Sequence, residues 1–224
     1  MFGLGVLNIA SPESEQLMMA FPIGIVCGFV GGLFNRGLVW LTARLAPVVR
    51  SRPLQAGLCL GGGLTALALL SWGTSTSDGE ALVRQLIDEG MPNALGNDQH
   101  VITGLTSIWI TLVRVVGPML ALSPGVPGGL IDPSLTFGAV LGYTICAVVG
   151  ISSQLGIGLG LAAGLSGATQ LPLVSIVFSW RLAGDQQLFA GVVLASVLAA
   201  YTGRLVCRDP VYHGLSKLQS APRR

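Results

Sequence analysis

The segment "SPGVPGGLIDPSL", Ser123 to Leu135, joins two strongly apolar runs but is made of residues that end helices. Pro127, Gly128 and Gly129 force the backbone out of a helical path. Pro133 then suits the first turn of a new helix, where its missing N–H would have had no partner. A start of this kind leaves the amides of Leu130 and Ile131 as donors at the positive end of a helix dipole, an arrangement that binds anions. In this reading the backbone binds and the two apolar side chains exclude water. Non-helical backbone at membrane depth is tolerated only inside protein or beside a cavity, so the break predicts a lined pathway near the midplane.

Other chemistry is sparse. Cys27, Cys59, Cys146 and Cys207 are widely separated, and the first three fall in apolar runs, as small packing residues do. His100 and His213 stand alone. No metal-ligand spacing and no nucleophile–base pair emerge, so neither a metal site nor an enzyme is expected, and no cofactor. Arg114 lies within an apolar run, where an arginine is costly; a structural pairing role is the simpler account. Asp132, beside the amides, is expected to point toward solvent or a basic partner and to favour the helix N-terminus.

These residues need a scaffold, and the composition says which kind. Of 224 residues 51% are hydrophobic and only 10% charged, with a mean hydropathy of +0.73. Soluble domains carry about a quarter charged residues. The expected class is therefore an all-α, polytopic integral membrane protein with tilted, broken and short helices, and the lipid bilayer is its first partner. A net charge of +2 gives no reason to expect nucleic acid.

Residues 1–15 read as a short N-terminal tail with Glu13 and Glu15, and no cleavable leader is expected. Residues 16–218 read as the transmembrane domain and 219–224 as a C-terminal tail. Within the domain, apolar segments are expected at about 16–44, 53–72, 101–122, 133–150, 154–167, 172–182 and 186–203. A basic loop with Arg44, Arg50 and Arg52 follows the first segment, whose Gly24, Gly28 and Gly32 form a small-residue face. "EALVRQLID" reads as an amphipathic helix at a membrane surface. The positive-inside rule places the Arg44–Arg52 region and the basic tail in the cytoplasm, and the acidic 78–98 stretch outside. Some segments are too short to span upright, a trait of transport proteins more than of simple anchors.

"GVPGGLIDPSLTFGAVLG" resembles the GxFxP region of the CLC family of chloride channels and proton-coupled chloride antiporters. "RDPVYHGL" looks like the family segment with a central tyrosine, and "GGLFNRGLVW" and "TQLPLVSIVF" resemble family helices in the right order. The resemblance covers about Gln16 to Leu218. It implies one inverted repeat of the CLC fold, the second, with chloride as the transported ion. It further implies that the Leu130 and Ile131 amides and the Tyr212 hydroxyl contact the anion, with Ile131 standing where the motif has phenylalanine. The first-repeat motifs GSGIP and G(K/R)EGP do not occur in this sequence. A complementary first-half polypeptide or self-association is therefore expected, with complete units pairing as a homodimer through residues 172–203, where Arg181 stands close to the position of an acidic residue in many relatives. The implied location is a bacterial-type inner (plasma) membrane. The alternative is a shortened, non-conducting membrane subunit with a structural or assembly role.

Overall fold

The computed structural model describes residues 17–71, 79–88, 102–125, 128–183, 186–208 and 214; Pro127 and Tyr212 lie outside them. The described residues form eight α-helices and one 3₁₀ turn, with no strand among them: α1 (Ala20–Ser51), α2 (Pro53–Leu70), α3 (Gly79–Asp88), α4 (Ile102–Leu122), α5 (Ile131–Val149), α6 (Ser153–Thr169), α7 (Pro172–Ala183) and α8 (Phe189–Val206). By length and composition α1, α2, α5 and α8 can cross a membrane, while α7 and the apolar part of α4 are shorter. At 32 residues α1 is about 48 Å long, well beyond the roughly 30 Å bilayer core, so it must tilt.

The centre of the body is α6. It is apolar all round, and every residue from Leu155 to Thr169 is buried, as a helix with no polar face must be. Glycines set its distance to α5. A β-carbon on Gly142 would fall on Gly156 O, and one on Gly138 would fall on Gly160 O, so the two backbones lie against each other antiparallel. The face of Gly24, Gly28 and Gly32 is used in the same way. Those residues meet Ala195, Ala199 and Gly203 in order, so α1 and α8 run parallel.

Polar atoms inside this body are tied to helix ends. Asn35, fully buried on α1, donates from Nδ2 to Ala168 O at 2.5 Å. That carbonyl belongs to the last turn of α6, which the helix itself leaves without a donor. In Asn35→Ala the carbonyl is stranded at a cost of about 1–3 kcal/mol. Relief of Asn35 Oδ1, which has no partner among the described residues, offsets part of it. A net loss of about 1 kcal/mol is expected, read as a lower thermal midpoint in detergent with unchanged helicity; an unchanged midpoint would show that the bond contributes nothing.

One boundary and one helix contact differ from the sequence expectation. The basic stretch after the first segment is not a loop, since α1 continues through Pro47 to Ser51. Proline removes a single helical bond there, which helices at membrane depth tolerate, and Arg44 stacks over Trp40 at 5.4 Å. The chain leaves the helix only at Arg52 (φ −141°, ψ 69°), whose place before Pro53 disfavours a helical angle. Nor does α3 lay its apolar side on a membrane surface. Leu82, Val83 and Leu86 are buried against Ile110, Ala139, Val140, Ile157, Leu161 and Leu182.

Candidate anion-binding site

The backbone between α4 and α5 is built by short local bonds. Ser123 N–H donates to Met119 O (3.1 Å) and Gly125 N–H to Leu122 O (3.0 Å), and Gly125 takes φ 84°, a left-handed angle that favours glycine. Gly128 and Gly129 are exposed and non-helical. A β-carbon on Gly128 would overlap Leu122 Cδ2, so the returning strand of chain packs directly on the end of α4.

Helix α5 starts two residues before Pro133, which is therefore third in the first turn, and buried. Leu130 is its N-cap (φ −88°, ψ −13°), with no side chain capping the amides. Its carbonyl accepts the first helical bond, from Ser134 N–H at 3.3 Å. The nearby hydroxyls turn toward carbonyls: Ser134 Oγ donates to Ile131 O (2.7 Å) and Thr136 Oγ1 to Asp132 O (2.8 Å). Helix geometry gives the N–H groups of Leu130 and Ile131 no acceptor within α5. What this arrangement can do chemically is donate two amide hydrogen bonds, reinforced by the dipole, to a negative charge at the mouth of α5.

The two apolar side chains do not behave alike. Leu130 is buried, packed with Phe34, Leu38, Phe137 and Ala168, and the Phe34 and Phe137 rings lie 6.2 Å apart. Ile131 instead is 41% exposed, so only Leu130 screens its amide in the way the sequence suggested for both. The first turn of a helix points successive side chains about a third of a turn apart, and only one of them faces α1.

Asp132 is exposed, and its carboxylate reaches the start of α3: a β-carbon on Gly79 would overlap both Asp132 Oδ1 and Thr136 Oγ1. A negative charge at that position favours the N-terminus of α3 as well as that of α5. Tyr212 and Pro127 fall outside the described residues. Gly214, two residues beyond Tyr212, is buried, and a β-carbon there would lie 2.8 Å from Val39 Cγ2, next to the Leu38 that packs with Leu130. After α8, the carbonyl of Cys207 accepts from Gln170 Nε2 at 2.7 Å.

Sequence reading passed over Asn35 and the hydroxyl pair of Ser107 and Thr144, which joins α4 to α5. Both were signalled by polar residues inside apolar runs, a pattern that marks contacts made within the bundle.

The sequence model of the voltage gated chloride channel family matches residues 2–204. The chain is 26% identical over 212 residues to the voltage-gated ClC-type chloride channel ClcB of Salmonella typhimurium, covering 89% of this chain and 46% of that protein. It is 28% identical over 214 residues to the ClcB of Escherichia coli, with the same coverage. Its fold is similar to the crystal structure of a slow cyanobacterial Cl−/H+ antiporter, with a TM-score of 0.56 and 20% identity over 88% of this chain and 48% of that one. The chain spans about half the length of the curated relatives it matches.

Proposed function

The chain belongs to the voltage gated chloride channel family, and from that premise we propose that it acts in chloride transport across a membrane by contributing one side of an anion pathway. Leu130 N–H and Ile131 N–H supply the donors at the mouth of α5, and the Tyr212 hydroxyl supplies a third. The observation that carries the reading is the non-helical stretch at Gly128–Leu130, which enters α5 with no side chain on its first amides. Burying an unpaired ion costs on the order of tens of kcal/mol by simple Born reasoning. Three charged hydrogen bonds at about 1.5–3 kcal/mol each return far less. A dehydrated chloride therefore needs donors from a complementary repeat, supplied by another polypeptide or a second copy, and complete units pair through α7 and α8.

Chloride efflux from liposomes tests this, with the chain alone and with a CLC first-half polypeptide added, each beside Tyr212→Ala. Efflux above empty liposomes that falls in Tyr212→Ala supports the pathway, and its appearance with or without the added half identifies where the second side comes from. No chloride-selective efflux in either preparation overturns the reading and leaves a non-conducting subunit.

A further inference from the structure

Helix α2 is the least covered of the apolar helices: among its 18 residues only Ala56 is buried. Where it leans on α4, a cavity of about 240 Å³ opens to the outside, walled by residues that include Val49, Pro53, Gly57, Gly61, Leu120 and Pro124. Nothing lies within 4 Å of where side chains would begin on Gly57 and Gly61, so that side of the cavity stands open to whatever surrounds the helix. Every side chain in the lining is apolar.

Two arginines lie next to this slot along the chain. Arg50 and Arg52 are exposed and fall between Val49 and Pro53, both of which line it. Arg52 Nη1 donates to Gln55 Oε1 at 3.3 Å. None of α1, α2 and α4, nor the stretch from Ser123 to Gly129, contains an aspartate or glutamate. The elements that build the groove therefore bring positive charge and no carboxylate to offset it.

We propose that this groove binds an anionic phospholipid, with one acyl chain lying along Gly57 and Gly61 and the phosphate paired with Arg50 and Arg52. An apolar slot with two exposed arginines between its lining residues Val49 and Pro53 suits such a lipid, and the planar fork of arginine fits phosphate oxygens. The positive-inside rule puts these arginines at the cytoplasmic leaflet, where anionic lipid is concentrated. A protein segment of ordinary apolar character would fill the slot but leave both charges unmatched. A lipid seated here rests against Leu120 and Pro124, the last residues before the break that leads to α5. The inference requires only that the chain sits in a membrane, and none of it depends on chloride.

Native mass spectrometry of the full chain in non-ionic detergent, offered phosphatidylglycerol or phosphatidylcholine, reads the binding directly. Phosphatidylglycerol should be retained in preference, and Arg50→Gln and Arg52→Gln should each lower its retention roughly fivefold. Gly61→Leu fills the open side without touching the charges and should also reduce retention, while glycerol 3-phosphate should not displace the lipid. Equal retention of the two lipids, or indifference to all three substitutions, overturns the site in favour of a nonspecific coat. Displacement by glycerol 3-phosphate assigns the arginines to free phosphate and overturns the acyl-chain role. Lipid loss that tracks protein concentration assigns the groove to a second copy of this chain and overturns the proposal as well. Chloride flux is not among these readouts, so their failure leaves the transport reading untouched.

Discussion

On the proposed pathway, chloride efflux should fall roughly ten- to a hundredfold when Ile131 becomes proline, and stay close to the parent rate when it becomes alanine. Both substitutions remove the isoleucine side chain, but only proline removes the N–H. A hydrogen bond to a charged partner contributes about 1.5–3 kcal/mol, and each 1.4 kcal/mol is about tenfold. Ile131 is the first residue of α5, a position where proline is favoured in helices generally. The cost is at Leu130, whose helical angle is disfavoured before proline. The same turn already holds Pro133 after a helical Asp132, so the fold is expected to absorb it, and a circular dichroism spectrum matching the parent would establish that. If Ile131→Ala lost as much efflux as Ile131→Pro, the side chain and not the amide would carry the function. Loss in neither would remove α5 from the pathway.

The largest effect on stability is expected at the α5–α6 contact. Gly142→Leu forces a side chain into Gly156 O, which is backbone and cannot rotate away. Overpacking of a well-filled core costs about 1–3 kcal/mol, and here at least that, because two whole helices must separate. The control is Gly62→Ala on α2, where nothing lies within 4 Å of the new carbon. There the better helix propensity of alanine should add up to about 1 kcal/mol. Thermal unfolding in one detergent should therefore move in opposite directions for the two variants. Two shifts of the same sign would mean that glycine content and not close backbone contact governs this fold.

Much of the architecture was legible because apolar run lengths and proline positions are local signals. Pro53 and Pro172 mark helix starts, and the Gly128–Gly129 break was readable in the same way. The end of α1 was not, because three arginines and Pro47 look like a loop until Trp40 and the helical bonds around Pro47 are seen. The docking of α3 was also hidden. An amphipathic helix fits a lipid surface and a protein groove equally well, and only the position of α5, α6 and α7 decides. At the candidate site, the uncapped amides followed from the local sequence. The exposure of Ile131 and the reach of Asp132 to Gly79 depend on which neighbours lie across space, and no spacing along the chain encodes that. The glycines of α5 and α6 were visible but too common in this sequence for their pairing to be read.

The parallel contact of α1 with α8 also bears on how the protein is made. These are the first and last described helices, and the nearest atoms to Gly24 and Gly32 all belong to α8 and its C-terminal end, while Gly28 also meets Gly167 of α6. At about 5–20 residues per second, roughly eight to thirty seconds of translation separate the end of α1 from the end of α8. Throughout that interval a small-residue face of α1 waits in the membrane, open to the insertion machinery or to a neighbouring nascent chain. Closure of this seam thus waits until α8 has been made, and a ribosome stalled before α8 would hold a body with its seam unclosed.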